Sequence, residues 1–267
     1  MIDPGPEPGP RAAPSPRRIA VAGGTGTVGR LVVATLAAQG HEPVVLSRAR
    51  GTDLLTGQGL REALAGVDAV VDVTNVATTG RRAATAFFTT VSRTLHQGCR
   101  DAGVRHHVTL SIAGVDRVPW GYYQAKLAQE QLLLEAAGGR VSVLRAAQFH
   151  EFAEQMLQRM RRGPLTVVPR MRSRPVAAAE VAGRLVDVAL GEPAGGLPEF
   201  GGPQVEDVPD MVARLAHREQ VRTRVMGIRL PGAAGAAMAG GGLLPVGDGP
   251  RGRATFAQWL SASGTDG

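Results

Sequence analysis

A short apolar run, Ile19 to Ala22, passes without a break into Gly23-Gly24-Thr25-Gly26-Thr27-Val28-Gly29, and the amphipathic stretch Arg30 to Ala38 follows at once. Few folds accept a strand, a glycine-rich turn and a helix in that order. In such a unit the first glycine, Gly23, permits the tight turn, Gly26 lets a pyrophosphate approach the backbone, and Gly29 lets helix and strand pack closely. The free N–H groups and positive dipole end of the helix then face the phosphates. Because the strand before the turn and the helix after it are the ones this mechanism requires, the run predicts a dinucleotide seat rather than an ordinary turn.

The same alternation continues along the chain. Candidate strands at Pro43 to Leu46, Ala69 to Asp72, His107 to Leu110 and Val141 to Leu144 are separated by helical stretches near 27–39, 58–65, 81–102 and 121–137. Short apolar strands between longer helices predict an α/β fold, a Rossmann-type doubly wound parallel sheet covered on both faces. Residues 1–16 are Pro, Gly, Ala and charge, too poor in apolar surface to offset ordering entropy, and read as a disordered tail before a single domain at 17–267. After about Gly163 the pattern loosens. A helix within Arg174 to Leu190, a strand at Leu197 to Phe200 and a helix at Pro209 to His217 are expected, whereas Pro231 to Gly249 is too rich in Gly and Ala to assign firmly. The region from about 198 to 267 is expected to form a small cap over the carboxyl edge of the sheet, where ligands of such folds bind.

Composition narrows the function. No apolar run approaches the roughly 20 residues that span a bilayer, and the N-terminal segment lacks the apolar centre of a signal peptide, so the chain is expected in the cytoplasm without a membrane partner. The single cysteine, Cys99, permits no disulfide within the chain and is read as a buried bystander; no metal site is expected. The formal charge of +7 suits phosphates, but the arginines are scattered, the clusters Arg159, Arg161, Arg162 and Arg170, Arg172, Arg174 are short, and aromatics for base stacking are scarce. A dedicated nucleic-acid partner is therefore not expected. All but one of the 30 basic residues are arginine. Where a solvated positive charge suffices the two types interchange, but a compact ammonium of adjustable pKa has no guanidinium substitute, which singles out Lys126.

Further candidates follow from position. The second strand ends Val44-Val45-Leu46-Ser47-Arg48, where NAD-selective sites usually place a carboxylate; Ser47 and Arg48 favour a 2′-phosphate and hence NADPH, with Arg50 as an alternative phosphate partner and a solvated loop arginine as the bland reading. Asp53 either caps the next element or bonds the adenine amino group. Tyr122 and Lys126, four residues apart, lie on one helix face. A phenol of pKa about 10 is a poor acid at neutral pH, and a neighbouring ammonium would favour its ionised form. Tyr122, Lys126 and Ser111 are thus the candidate catalytic residues, with Ser111 beside a substrate carbonyl or hydroxyl. The end of the Val141 strand should pass near the nicotinamide, making Ala147 and Phe149 cofactor candidates. Phe149, His150 and Trp120 are substrate candidates, a packing role being the alternative for His150 and Trp120.

These residues resemble the atypical short-chain dehydrogenases of the NmrA-like, NAD(P)H-binding group. The likeness rests on Gly23 to Gly29, Ser47-Arg48, Ser111-Ile112-Ala113-Gly114, Tyr122 to Glu130 and Leu144 to Phe152, and covers roughly residues 17–260. It implies a Rossmann core with a variable C-terminal substrate region and a preference for NADP. It also implies cofactor contacts from Thr25, Thr27, Val28, Arg48, Asp53, Leu54, Thr74 and Asn75, with Lys126 on the nicotinamide ribose. The expected activity is NADPH-dependent reduction of a small, apolar or aromatic carbonyl, quinone or conjugated substrate, by a monomer or homodimer. The alternatives are a redox-sensing module that holds NADP without turnover and, third, a sugar-nucleotide epimerase or dehydratase.

Overall fold

The computed structural model describes residues 15–78, 80–136 and 138–262. Of the segment read as a tail, residues 1–14 lie outside the described residues, as does the last residue of the helix expected to end at 137. The chain opens with βα units: β1 (Arg18–Ala22), α1 (Thr27–Ala38), β2 (Glu42–Leu46), α2 (Leu60–Ala63), β3 (Ala69–Asp72), α3 (Arg81–Asp101), β4 (His106–Ile112), α4 (Gly121–Ala136) and β5 (Val141–Ala146). There follow α5 (Phe152–Met160), β6 (Arg161–Arg162), β7 (Leu165–Pro169), β8 (Arg172–Ser173), α6 (Ala178–Leu190), β9 (Gly195–Gly196), β10 (Glu206–Asp207), α7 (Val208–Arg218), β11 (Arg224–Ile228), α8 (Gly232–Gly240) and α9 (Phe256–Ala262).

The central sheet has six strands in the order β2-β1-β3-β4-β5-β9, all parallel. The chain runs outward from β1 to β2 and then crosses back to β3, so the order reverses between β1 and β3. A crevice opens at the carboxyl ends of strands at such a switch point. Alternation along each strand feeds two faces. Ile19, Val21, Val71, Val108 and Leu144 pack with Val32 and Leu36 of α1 and Val181 and Leu185 of α6. Ala20, Ala22 and Val70 face Leu95 and Cys99 of α3 on the other side. That second face turns polar towards β3 and β4, where Asp72, His107, Thr109 and Ser111 are buried.

The late elements depart from expectation in three ways. The expected helix begins only at Ala178, because Pro175 disfavours helical backbone at Arg174 and the amide of Val176 is used by the carbonyl of Gln148 at 3.0 Å. The strand expected at Leu197–Phe200 is assigned instead at Gly195–Gly196. Leu197 still donates to Val143 and Phe200 to Arg145, at 3.0 and 2.8 Å, but Pro198 has no amide to continue the ladder. Third, the sequence reading misses a three-stranded sheet, β11-β7-β6, and the short pair β10-β8. Its arginine-rich and two-residue strands carry little of the apolar signal that marks the core.

A separate apolar cluster joins Met156 and Leu157 of α5, Val168 and Met171, Met211 and Leu215 of α7, Met238 of α8 and Phe256 of α9 to Val115, Val118 and Tyr123 beside the sheet. Two buried carboxylates, Glu130 and Glu199, hold partners beside this layer. Arg145 donates to Glu130 through Nε at 3.0 Å and Nη2 at 2.7 Å and to Asp116 at 3.0 Å, while Glu199 accepts from the amides of Gly114 and Val246 at 3.1 and 2.9 Å.

Two glycines of opposite use test the packing. A Cβ on Gly29 would stand 2.1 Å from the carbonyl oxygen of Gly23, whereas one on Gly183, inside α6, would meet nothing within 4 Å. Gly29→Ala is expected to cost about 3 kcal/mol or more. Gly183→Ala is expected to stabilise by about 0.8–1 kcal/mol. Urea unfolding of the two variants checks both signs.

Candidate functional site

The turn after β1 closes on itself through the Gly26 amide and the Gly23 carbonyl, at 2.9 Å. Gly23 is left-handed, with φ +78, and a Cβ there would lie 2.9 Å from the Val73 carbonyl carbon, so the loops after β1 and β3 touch at the switch point. Helix α1 begins at Thr27 with no side chain capping it and no acidic residue in its first turn. Its first N–H groups and dipole end are therefore open to an anion, and Thr25, Gly26 and Thr27 are exposed around them.

From this turn a cleft of about 700 Å³ runs along the carboxyl edge of the sheet. Gly26 to Gly29 form one end. Val73 to Thr78, Leu110 to Ile112, Tyr122 and Lys126 form the middle, with Ala146 to Phe149 beside them. Trp120, Phe152, Met156, Met160, Met171 and Met238 form the apolar far end. Six elements distant in sequence thus bring Thr27, Val28, Thr74, Asn75, Ser111, Trp120, Tyr122, Lys126, Ala147 and Phe149, all predicted, into one cavity.

Within it the Tyr122 hydroxyl donates to Oδ1 of the exposed Asn75 at 2.7 Å. Ser111 stands inside β4 rather than after it, and its Oγ is buried with no hydrogen-bond partner among the described residues. Lys126 is 5% exposed. Its Nζ donates to the Leu110 carbonyl at 2.7 Å and to Oε1 of Gln129 at 2.5 Å, and lies 4.7 Å from the centre of the Phe88 ring. Gln129 passes the chain on, its Nε2 donating to Asp72 Oδ2 at 3.1 Å and to Ser92 Oγ at 2.9 Å. Asp72 Oδ1 in turn accepts from the amide and hydroxyl of Thr74, at 2.9 and 2.7 Å.

This network corrects one expectation. Lys126 does not lower the Tyr122 pKa: burial pushes the phenol up to about 12. The ammonium points to Leu110 and Gln129, deeper than the phenol, and Tyr122 is held as a neutral donor. Lys126 itself is pushed down to about 8 by desolvation, against the opposing pull of Asp72 and Glu130.

Other predicted residues fall outside the cleft walls. Gly23 shapes the turn from behind. Thr25 is exposed at its tip. The register Ala22 to Leu46 sets Ser47 and Arg48 beside the turn. Ser47 Oγ is buried without a partner, and the exposed side chains of Arg48 and Arg50 make no hydrogen bond or ion pair among the described residues. Asp53 turns Oδ1 to the Leu55 amide at 2.8 Å, and Leu54 packs against the α2–α3 cluster. His150 is a second correction. It is fully buried, bonds the Ala254 carbonyl through Nε2 at 3.1 Å and packs on the Phe256 and Trp259 rings at 5.6 and 5.7 Å, so the C-terminal segment claims it and no substrate reaches it. Cys99 is buried, and burial pushes its thiol up to about 12, too high for a reactive thiolate.

The sequence reading did not single out Asp72, Gln129, Gln148, Gln155 or Arg159. The last two had a legible signal: Phe152, Gln155, Met156, Arg159 and Met160 follow helical spacing. Among the described residues no cluster of His, Cys, Asp and Glu fits a metal, and no helix is long and apolar enough to cross a membrane.

The profile of a family described as NAD(P)H-binding matches residues 23–190. No curated protein sequence matches the chain. The fold is similar to that of an NADPH-dependent quinone oxidoreductase from Escherichia coli, with 16% sequence identity over 92% of this chain and 99% of that one and a TM-score of 0.66. It is similar also to a dTDP-4-dehydrorhamnose reductase from Yersinia enterocolitica (14% identity, 93% and 99% covered, TM-score 0.70) and a UDP-N-acetylglucosamine 4-epimerase from Bacillus cereus (17% identity, 94% and 98% covered, TM-score 0.66). At these identities the likeness speaks for the fold.

The buried ammonium has a pH signature. Its folded pKa lies below the unfolded value, so the unfolded chain holds more protons between about pH 8 and 10.5, and this group's penalty is full below that window and relieved as pH rises through it. Between about pH 7 and pH 9.5 the stability of Lys126→Met relative to wild type should fall by roughly 1–3 kcal/mol, as the wild type sheds its penalty. Urea unfolding at both values measures it; a constant difference would contradict the buried placement.

Proposed function

The chain belongs to the NAD(P)H-binding family, and from that membership we propose that it is an NADPH-dependent oxidoreductase reducing a small apolar or aromatic carbonyl, quinone or conjugated substrate. The observation that carries the reading is the continuity of one cleft from the uncapped start of α1 through Ser111, Tyr122 and Lys126 to a wall of Phe152, Met156, Met160 and Met171. A dinucleotide needs the first part, and an apolar substrate the last.

The residues fit the cofactor. Gly29, where a Cβ would collide with Gly23, holds α1 close enough for its free amides to meet the pyrophosphate. Ser47 and Arg48, unpartnered beside the turn, suit a 2′-phosphate, which an unopposed guanidinium binds in a charge-assisted pair. Lys126, with two of its three protons engaged by Leu110 and Gln129, keeps one for the nicotinamide ribose. When bound, NADPH supplies a hydride to the substrate carbon.

The side chains then manage the oxygen. Ser111, which lines the cleft and whose Oγ has no partner among the described residues, is assigned to hold the substrate oxygen beside Tyr122. Tyr122 turns its hydroxyl from Asn75 to that oxygen and gives up its proton as negative charge develops there, so carbon gains the hydride and oxygen the proton. Its high pKa keeps the phenol protonated until then, and at the cleft edge beside the exposed Asn75 water returns the proton afterwards.

A second reading, an NADP-holding sensor without turnover, draws support from the engagement of Lys126 by Leu110 and Gln129 rather than by the phenol. Tyr122→Phe separates the two. Steady-state NADPH oxidation with a small quinone or aldehyde should fall roughly 100-fold or more in kcat while the NADPH Kd stays within about twofold. Unchanged turnover would remove Tyr122 from the chemistry, and no turnover by wild type would favour the sensor.

Cofactor choice has its own test. Arg48→Ala should weaken NADPH roughly tenfold or more in a nicotinamide fluorescence titration and leave NADH unchanged. Equal losses for both nucleotides would point to a general defect of the turn.

A further inference from the structure

The far wall of the cleft carries a charge that nothing among the described residues answers. Helix α5 turns one face to it, Phe152, Gln155, Met156, Arg159 and Met160, at the spacing of successive helical turns. Four of these have an evident use in holding a conjugated ring, since Phe and Met supply polarizable surface and Gln an adaptable amide. Arg159 does not belong to that set.

The acids around Arg159 are spoken for. Among the described residues no Asp or Glu lines the cleft. Glu154 looks towards Glu219 and Arg218, Glu151 accepts from the Ala178 amide at 3.3 Å, and Asp207 pairs with Arg170 at 3.1 Å. The Arg159 guanidinium makes no hydrogen bond or ion pair among the described residues; only its backbone carbonyl is used, by Arg162 at 3.0 Å. The last turn of a helix favours a cation on general grounds, but that is satisfied at any azimuth and does not explain one among Phe152, Met156 and Met160. Arg161 and Arg162, exposed on β6 immediately after it, add to the positive field at this end. Lys126, the other cation of the cleft, is buried and bound by Leu110 and Gln129.

We infer that Arg159, with Gln155 one turn before it, recognises an oxyanion on the substrate: a carboxylate, sulfonate or phosphate attached to the flat apolar body that the methionine wall holds. This names the substrate class of the reduction proposed above and rests on that reading. The planar guanidinium, with paired donors, matches such a group where an ammonium does not. Because Arg159 is exposed, the attraction is modest and screened by salt.

The experiment compares a neutral naphthoquinone with the same ring bearing a sulfonate, in wild type, Arg159→Gln and Arg159→Lys, and titrates each protein with NADPH. Wild type should show a KM roughly two- to fivefold lower for the sulfonate, a preference that shrinks as salt rises. Arg159→Gln should abolish it and Arg159→Lys should keep part of it, each raising the sulfonate's KM more than the neutral quinone's and leaving the NADPH Kd unchanged. Equal KM values in wild type, or a preference that survives in Arg159→Gln, would overturn the inference. If NADPH binds but neither quinone is reduced, it is the oxidoreductase reading that fails. Arg159 is then decided by the binding of the same two quinones in the presence of NADP, read by quenching of tryptophan fluorescence, with the same outcomes.

Discussion

Helix α1 leans on the end of β1 at one point, where the backbone of Gly29 meets the carbonyl of Gly23 in a space that a Cβ would enter to 2.1 Å. This contact fixes the direction of the helix, and with it the direction of its free amides and dipole. Gly23, left-handed, brings the same turn against Val73, so the loops after β1 and β3 are locked together where the strand order reverses. The cleft begins at that junction. Its remaining walls are side chains that β4, β5, α4 and α5 extend from positions set by the sheet, and α6 packs beside α1 to hold the arrangement from behind.

Depth divides the chemistry of the middle wall. Lys126 sits under the surface, its charge answered by a carbonyl, an amide and the face of Phe88 rather than by a direct ion pair. Gln129 stands between it and Asp72, so ammonium and carboxylate sense each other across a neutral group, and Asp72 uses its other oxygen to fix Thr74 on the cleft edge. A buried polar network of this kind is stable only when each member is satisfied, and it orders whatever it touches. Tyr122 lies nearer the solvent with Asn75. The ammonium is thus held deep, and the phenol nearer to water.

The parallel core was legible because its strands are short, apolar and separated by helices of ordinary length; the glycine turn was legible because each glycine has a distinct steric task. Grouping Ser111, Tyr122 and Lys126 needed only helix spacing and the order of strands. The partners of Lys126 were not legible, since Gln129, Asp72 and Ser92 come from three elements and meet only when the polar face of the sheet is packed. The same holds for Tyr122: spacing places two residues on one face but does not say where an ammonium turns. The burial of His150 is not legible locally, because the helix that claims it, Phe256–Ala262, lies more than a hundred residues on. Strands β7 and β11 are weakly marked in sequence because Pro169 ends one and Arg224 and Gly227 break the other.

The central claim is that one cleft seats a dinucleotide on α1 and delivers its reactive ring to Tyr122. The direct test is a crystal structure of the NADP complex. The pyrophosphate should lie within hydrogen-bond distance of the Thr27 and Val28 amides, with the nicotinamide ring beside Tyr122 and Ser111 and the ribose against Lys126. A pyrophosphate away from the start of α1, or a nicotinamide turned from Tyr122 towards solvent, would contradict it.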